Sequence, residues 1–266
     1  MIRRVISIGV CLAVFFSAAA QHEHIDSLKN ELAHSANDTL TMIYLGKLAD
    51  AYAEVYPDSA DNYGNKMLAL AKNLDLKLEQ VYALNEIEYG QLNMGNYPRS
   101  LQSLLTAISI AEDKKSEEKI LSPDFPAIDE YMDRTLSPAQ QRDAMLSRTF
   151  QYAGILYLNS GNYEKSKQYY YASLPLAEGV KNYRILSITY STLGRTYLAL
   201  KQPDSALICL TLAYDNATKV NYNRYLGSIL LNIGRVYAVK GKKILRFTIL
   251  RGVLKKAQSI IITGVL

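Results

Sequence analysis

A glycine and a tyrosine return together at a fixed distance along this chain, and this repeat constrains the fold more than any other feature. The pairs lie forty residues apart and are Gly154 with Tyr157, Gly194 with Tyr197, and Gly234 with Tyr237. A period of roughly 20 to 50 residues marks proteins built from stacked repeats, in which neighbouring units bury one another's apolar faces. We therefore expect the chain to act by presenting a surface.

The spacing of apolar residues predicts helices through nearly the whole chain, and no convincing alternating pattern of a strand is present. Gly95 and Gly161 close first helices of a pair, because glycine readily adopts the left-handed backbone that ends a helix. Pro57 and Pro203 open second helices, where the missing N–H of proline is not needed. The sequence thus predicts an all-α array of antiparallel helix pairs.

This pattern resembles the tetratricopeptide repeat family. The resemblance is carried by a small residue in each first helix, an aromatic residue three positions later, and a small residue in each second helix. These repeat-packing residues are Gly154, Tyr157, Ser166, Gly194, Tyr197, Ala206, Gly234 and Tyr237. The resemblance implies a right-handed superhelical solenoid over 39–242. Leu48 and Glu88 stand at the glycine position of the two earliest repeats, which depart from the pattern.

The pattern divides the chain into segments. They are a signal peptide at 1–20, an N-terminal helix (Ile25–Ala36) within 21–38, repeats one and two at 39–112, an insertion at 113–142, repeats three to five at 143–242 with the last incomplete, and an aberrant tail at 243–266. In the insertion we expect an extended second helix, a short helix near 127–134, and a long helix from Pro138 behind a capping box of Ser137 and Gln140. The insertion is interpreted as a solvated loop or as a protrusion that shapes one edge of a groove.

The first twenty residues have the parts of a secretory signal peptide. Arg3 and Arg4 precede an apolar run, and three alanines stand directly before Gln21. The run is shorter than the roughly 20 apolar residues that a membrane span needs. We therefore expect export, with the periplasm as the location; an uncleaved N-terminal anchor is the alternative.

The tail does not continue the repeat. After Gly241 the pattern predicts a helix start like that of 204–207, but the chain carries apolar and basic residues instead. Shifting the back-translated codons from Lys243 by one nucleotide permits Asp-Ser-Ala-Leu-Tyr, which restores the pattern. We interpret 243–266 as a frameshift product; a basic amphipathic helix on a membrane surface is the alternative.

The formal net charge of +5 is unevenly distributed. Arg3, Arg4 and seven basic residues in 240–266 supply nine positive charges, so residues 21–239 carry a net charge of −4. A mildly acidic body lacks the basic face that nucleic acids require. We expect no nucleic-acid partner, and membrane contact only through an uncleaved signal peptide or a missing C-terminal segment.

Residues of catalytic chemistry are not grouped into a known motif. There is no glycine-rich phosphate loop, paired-cysteine metal motif or nucleophile elbow. His22 and His24 lie at the expected mature N-terminus, where we predict a disordered end in preference to a metal site. Cys209 stands among leucines and isoleucine and is interpreted as a small core residue. We predict no enzyme activity, no metal and no cofactor.

The family resemblance implies that first helices line a groove and that the residue after the packing glycine faces inward. Arg195 and Arg235 take this place in adjacent repeats, and two stacked guanidinium groups suit a carboxylate or an acidic peptide. In the alternative, both arginines pair with acids of neighbouring helices. The predicted partner-binding residues are Tyr82, Asn85, Tyr89, Asn93, Gln151, Asn159, Ser191, Arg195 and Arg235.

The sequence therefore predicts an exported helical-repeat scaffold that binds a peptide or partner protein in its groove, without catalysis. The alternative is the extracytoplasmic sensor region of a membrane-bound transcriptional regulator or histidine kinase. Residues 25–28 followed by repeats resemble the exported region of such proteins, in which a membrane span and an output module come next.

Overall fold

The computed structural model describes residues 21–241, except for the side chain of Arg224. The predicted signal peptide and the predicted frameshifted tail lie outside the described residues. Within 21–241 every regular element is helical, and there is no strand. The helices are α1 (21–33), α2 (Asp38–Tyr52), α3 (Pro57–Asn73), α4 (Lys77–Asn93), α5 (Tyr97–Glu112), α6 (Pro138–Asn159), α7 (Tyr163–Gly179), α8 (Tyr183–Ala199), α9 (Pro203–Lys219) and α10 (Asn223–Val239), with a 3-10 helix at Lys114–Glu117.

The described chain forms two compact units. The first comprises 21–110 and 118–135, and the second comprises 111–117 and 136–241. In the first unit, α3 packs between α2 and α4; in the second, each helix from α6 to α10 packs on the next, and α8 also touches α6 and α10. The predicted all-α array of helix pairs is confirmed. We call α2, α4, α6, α8 and α10 first helices, and α3, α5, α7 and α9 second helices.

The turns between helices follow the local chemistry of the sequence. Gly95 and Gly161 have φ angles of 76° and 79°, the left-handed conformation that glycine adopts without strain. Pro57 and Pro203 are the first residues of α3 and α9. Short turns of this kind keep consecutive helices antiparallel and adjacent.

The N-terminal helix is present; its described part covers 21–33, and it ends before the expected Ala36. Ile25 and Leu28 are buried in one cluster with Leu48 of α2 and Ala60 of α3. The leucine at the glycine position of the first repeat is therefore accommodated as a core residue.

The insertion ends at a well-defined helix start. As predicted, α6 begins at Pro138 behind a capping box. The N–H of Gln140 donates to Ser137 Oγ at 3.3 Å, and the N–H of Ser137 donates to Gln140 Oε1 at 3.1 Å. Two backbone N–H groups at the helix start are thereby satisfied reciprocally.

Two other expectations for the insertion are wrong. The second helix α5 is not extended but ends at Glu112, and turns replace the short helix near 127–134. The carboxylates of Asp113 and Asp129 each accept a backbone N–H two residues further on, at 3.0 and 2.9 Å. Such side chain-to-backbone bonds offer the chain an alternative to helical hydrogen bonds.

Candidate functional site

In the second unit, two packing glycines lie where the helices of a pair approach closely. A Cβ atom built on Gly154 would lie 2.2 Å from Cε1 of Tyr170, and Ser166 Oγ donates a 2.8 Å hydrogen bond to the Gly154 carbonyl. A Cβ atom on Gly194 would lie 2.8 Å from Cγ of Leu210. These contacts fix the rotation of α6 and α8 about their own axes. Ala206, the small residue of the second helix α9, is wholly buried.

Gly234 of α10 differs from the other two packing glycines, because no described residue lies within 4 Å of a Cβ atom built on it. The tyrosines of the three repeats are all half-buried, and those of the first two contact a neighbouring helix. Tyr157 and Tyr197 both contact α7, the first by stacking at 5.4 Å between ring centroids and the second by a 2.5 Å hydroxyl–hydroxyl hydrogen bond to Tyr171. That hydrogen bond, together with burial, raises the pKa of Tyr171 to about 12. Tyr237 is half-buried.

The residue after each packing glycine lies on the solvent-facing side of its helix. Arg195 and Arg235 are exposed, and Ile155 is half-buried at the equivalent place on α6. One turn further along, the chain places apolar side chains on the same side of each helix. We call this surface the first-helix face and define it by Ile155, Leu158, Arg195, Leu198, Arg235 and Ala238.

The two arginines of this face are not neutralised by acids. No described carboxylate lies within ion-pair distance of either guanidinium group. Arg235 Nη1 donates a 3.1 Å hydrogen bond to Asn232 Oδ1 of its own helix, which orients the group but leaves its charge uncompensated. The alternative that both arginines pair with acids of neighbouring helices does not hold within 21–241.

Charge is segregated between the first and second helices of this unit. The first helices α6, α8 and α10 contain six arginines, no lysine, and one acid, Asp143. That acid already pairs with Arg142 at 2.9 Å. The second helices α7 and α9 contain four acids and three lysines. The charged side chains of α8 and α10 are therefore all positive, which favours the approach of an anion.

The other predicted binding residues of this unit are unequally accessible. Asn159 is exposed at the end of α6 and can join the first-helix face. Gln151 and Ser191 are 5% and 1% exposed, so a ligand can reach very little of either residue. The buried positions of Gln151 and Ser191 favour a structural role for these two side chains.

In the first unit, the predicted binding residues do not form an open face. Tyr82 and Asn85 have no exposed area, which corrects their assignment to a ligand-binding surface. Tyr89 is half-buried against the core of α2 and α3. Asn93 is exposed, but its Nδ2 donates a 2.9 Å hydrogen bond to the carbonyl of Ala53.

The segment 118–135 packs back onto the first helices of this unit. Ile128 is 4% exposed, and its Cγ2 would lie 2.8 Å from a Cβ atom on Gly46 of α2. Arg134 Nη1 and Glu79 Oε1 of α4 form a 3.1 Å ion pair with both side chains buried. Burial raises the pKa of Glu79, and the charge of Arg134 opposes this. Leu121, Ile128 and Arg134 are therefore the buried anchors of a segment whose other residues are exposed or half-buried.

The sequence interpretation also missed a buried carboxyl group. Glu88 of α4 stands at the glycine position of its repeat and has no exposed area. Ser100 Oγ of α5 donates a 2.8 Å hydrogen bond to Glu88 Oε1, while Oε2 has no hydrogen-bond partner among the described residues. Burial raises the pKa of Glu88 to about 8. The one signal in the sequence was an acid where the repeat requires a small residue.

The described part of the chain contains neither a metal-binding cluster nor a membrane-spanning helix. Residues 21–241 hold no group of three or more histidine, cysteine or acidic side chains that could bind a metal. No helix within these residues is both long enough and apolar enough to cross a membrane. Cys209 is buried, as predicted, and burial raises the pKa of its thiol to about 11.

Comparison with known proteins agrees with this architecture. Residues 145–219, which cover most of α6 and all of α7 to α9, match the tetratricopeptide repeat family. The resemblance to this family is therefore confirmed: this segment of the chain carries tetratricopeptide repeats. No curated protein matches the chain.

Solved structures extend the likeness beyond that segment. A Rap protein complexed with Competence and Sporulation Factor has a TM-score of 0.68 at 15% identity, over 91% of this chain and 61% of its own. BtubC (BKLC) from P. vanneervenii has a TM-score of 0.59 at 14% identity, over 91% and 90%. A STAND protein with a tetratricopeptide repeat sensor, PH0952 from Pyrococcus horikoshii, has a TM-score of 0.52 at 16% identity, over 95% and 42%. At such identities the likeness establishes the fold, a helical-repeat scaffold.

Proposed function

We propose that this protein is an exported, non-catalytic scaffold that binds an acidic peptide or an acidic segment of a partner protein on the first-helix face. The observation that carries the proposal is the pair of exposed guanidinium groups, Arg195 and Arg235, on helices without a competing acid. A guanidinium group binds a carboxylate through two parallel hydrogen bonds. The fold is consistent with this role, since the similar Rap structure is a complex with Competence and Sporulation Factor.

The expected strength of binding is modest because both arginines are exposed. An exposed ion pair contributes about 0.2–1 kcal/mol, and a hydrogen bond to a charged group contributes about 1.5–3 kcal/mol when shielded. Two exposed contacts together contribute about 0.4–2 kcal/mol, so apolar contacts such as that to Leu198 must supply most of the about −8 kcal/mol that corresponds to a dissociation constant of about 1 μM. Salt should weaken the interaction, because exposed charges are screened.

A labelled hexaglutamate peptide tests the proposal by fluorescence anisotropy. We expect binding to the wild-type chain and about tenfold weaker binding to the double variant Arg195→Ala, Arg235→Ala. Arg99→Ala is the matched control, because Arg99 is an exposed arginine on the second helix α5; this variant should bind like the wild type. Equal affinity of the double variant and the wild type would refute the role of these arginines.

Export is proposed from the N-terminal segment alone. Cleavage after Ala20 would leave Gln21 as the first residue of the mature protein. N-terminal sequencing of protein from the periplasmic fraction should therefore begin at Gln21. Recovery of the chain in the cytoplasm with Met1 at its start would contradict export.

A sensor region of a membrane-bound regulator is the second candidate. It is favoured by the likeness to a STAND protein that has a tetratricopeptide repeat sensor. The two candidates differ in what the gene encodes beyond the proposed frameshift at about residue 243. An apolar run of about 20 residues followed by a cytoplasmic module would support the sensor. A stop codon after one further helix would support the free scaffold.

A further inference from the structure

We propose that the ligand of the first-helix face is a peptide in the polyproline II conformation whose acidic residues lie three positions apart, in the pattern acid-x-x-acid. This proposal rests on the proposed function, because it names the ligand that Arg195 and Arg235 would bind. It follows from the register of the repeats and from the charge of the helices that carry the two arginines.

The spacing of the two helices that carry the arginines indicates the spacing of the acids. Each arginine follows a packing glycine, so Arg195 and Arg235 occupy equivalent places on α8 and α10, which contact one another. The axes of packed helices lie about 8–10 Å apart. In polyproline II, residues i and i+3 lie on the same side and about 9 Å apart, from three residues per turn and a rise of about 3.1 Å. The distance between residues i and i+3 of the peptide therefore matches the distance between the axes of the two helices.

An extended β-strand fits this spacing less well. Its side chains alternate, so those on one side lie about 7 Å or about 13 Å apart. Neither distance matches the separation of about 8–10 Å between the axes of neighbouring first helices. A strand would also leave its backbone groups unpaired here, because the residues described as helical offer no sheet edge. Polyproline II has no internal hydrogen bonds and keeps its backbone solvated, so it loses nothing by lying across helices.

The charge of the face selects carboxylates at these two positions. The helices α8 and α10 carry no acid and no lysine, so no carboxylate on them competes for the guanidinium groups or repels an anion; among the described residues Asn232 accepts only one hydrogen bond, from Nη1 of Arg235. Aspartate or glutamate three residues apart would each meet one arginine. Pairing at both positions would then require one backbone conformation, which is the source of specificity.

The equivalent place on α6 is apolar and extends the pattern. Ile155 takes the position of the two arginines on α6, which contacts α8. Ile155, Leu158 and Leu198 are all half-buried, so they form an apolar contact surface next to Arg195. A ligand residue three positions beyond the acid bound by Arg195 would lie over this surface. The extended pattern is therefore aliphatic-x-x-acid-x-x-acid, read in one of the two chain directions.

Labelled proline-rich peptides test the spacing directly, because proline imposes polyproline II. The set contains Leu-Pro-Pro-Glu-Pro-Pro-Glu, its reverse sequence, and peptides of equal composition with the glutamates one, two or four positions apart. We expect one direction of the three-position peptide to bind about tenfold more tightly than the other spacings. Arg195→Ala and Arg235→Ala should each remove this preference, whereas Arg99→Ala should retain it.

The outcomes separate this inference from the proposed function. Equal binding at all spacings, with loss in the arginine variants, would overturn the spacing rule but leave the acidic ligand in place. Binding that is insensitive to both arginine variants would overturn the proposed function as well. Tighter binding of a single-stranded oligonucleotide than of any peptide at the same salt concentration would overturn the assignment to a peptide.

The aliphatic position needs its own measurement. Replacing leucine by glycine in the best peptide should weaken binding to the wild type by several-fold. The same replacement should have little effect on Ile155→Ala, which no longer offers the full apolar contact. Because Ile155 is only half-buried, this variant is expected to fold, and circular dichroism checks that it does. An equal loss in both proteins would overturn the assignment of Ile155.

Discussion

Replacing Glu88 by glutamine should remove a large part of the pH dependence of stability. The pKa of this carboxyl group is about 8 in the folded chain, against an ordinary value of 4.5, because burial disfavours the charged form. Between these two pH values, the folded state holds a proton that the unfolded state has released. The free energy of unfolding therefore falls as the pH rises from about 4.5 to about 8, and then levels off.

The magnitude follows from the size of this shift. Each pH unit in that window costs about 1.4 kcal/mol, so the whole window costs about 5 kcal/mol and about 3 kcal/mol is already lost at pH 7. Glutamine stays neutral at every pH and can still accept the hydrogen bond of Ser100. Glu88→Gln should therefore match the wild type near pH 4.5 and exceed it increasingly up to pH 8.

Urea unfolding followed by circular dichroism at pH 5, 6, 7, 8 and 9 measures this difference. Hydrogen exchange of the α4 amides reports the same effect locally in the first unit. Glu54→Gln is the matched control, since Glu54 is exposed in the turn after α2; its effect should stay within about 0.5 kcal/mol at every pH. A gap between Glu88→Gln and the wild type that does not widen with pH would refute the reasoning.

Two further predictions concern packing and a buried ion pair. Gly154→Ala should destabilise the chain by about 1–3 kcal/mol in urea, because its Cβ atom would overlap the ring of Tyr170. Gly179→Ala, at an exposed position of α7 with no described atom near the added Cβ, should be neutral or stabilising by up to about 1 kcal/mol, and equal losses in both variants would contradict the packing argument. Arg134→Ala should cost about 3–5 kcal/mol in the same assay, since it leaves Glu79 buried without its counter-charge. A loss below about 1 kcal/mol would contradict this reasoning.

The features that could be predicted from the sequence are those written in local or periodic signals. Gly95 and Pro203 mark helix boundaries through backbone conformation alone, and the capping box at Ser137 uses residues three positions apart. The surface position of Arg195 and Arg235 was implied by the resemblance to the tetratricopeptide repeat family, in which the residue after the packing glycine faces the groove, and both residues are exposed. These inferences needed no knowledge of distant contacts.

The features that were missed depend on contacts between distant parts of the chain. The burial of Asn85 reflects tight packing around α4 that the helical pattern of α4 does not encode. The segment 118–135 reaches Glu79 through Arg134, across 55 positions. The turns around Asp129 form because its carboxylate captures a backbone N–H, a choice that composition alone leaves open.

The buried cysteine has a practical consequence for experiments on this protein. The thiol of Cys209 is shielded in α9, and with a pKa of about 11 only a very small fraction is the reactive thiolate at neutral pH. Maleimide reagents should therefore leave it untouched in the native state. A cysteine introduced at Ala199, which is exposed one turn after Arg195, would then carry a fluorophore or a cross-linker as the single labelled site between 21 and 241, without removal of the natural thiol.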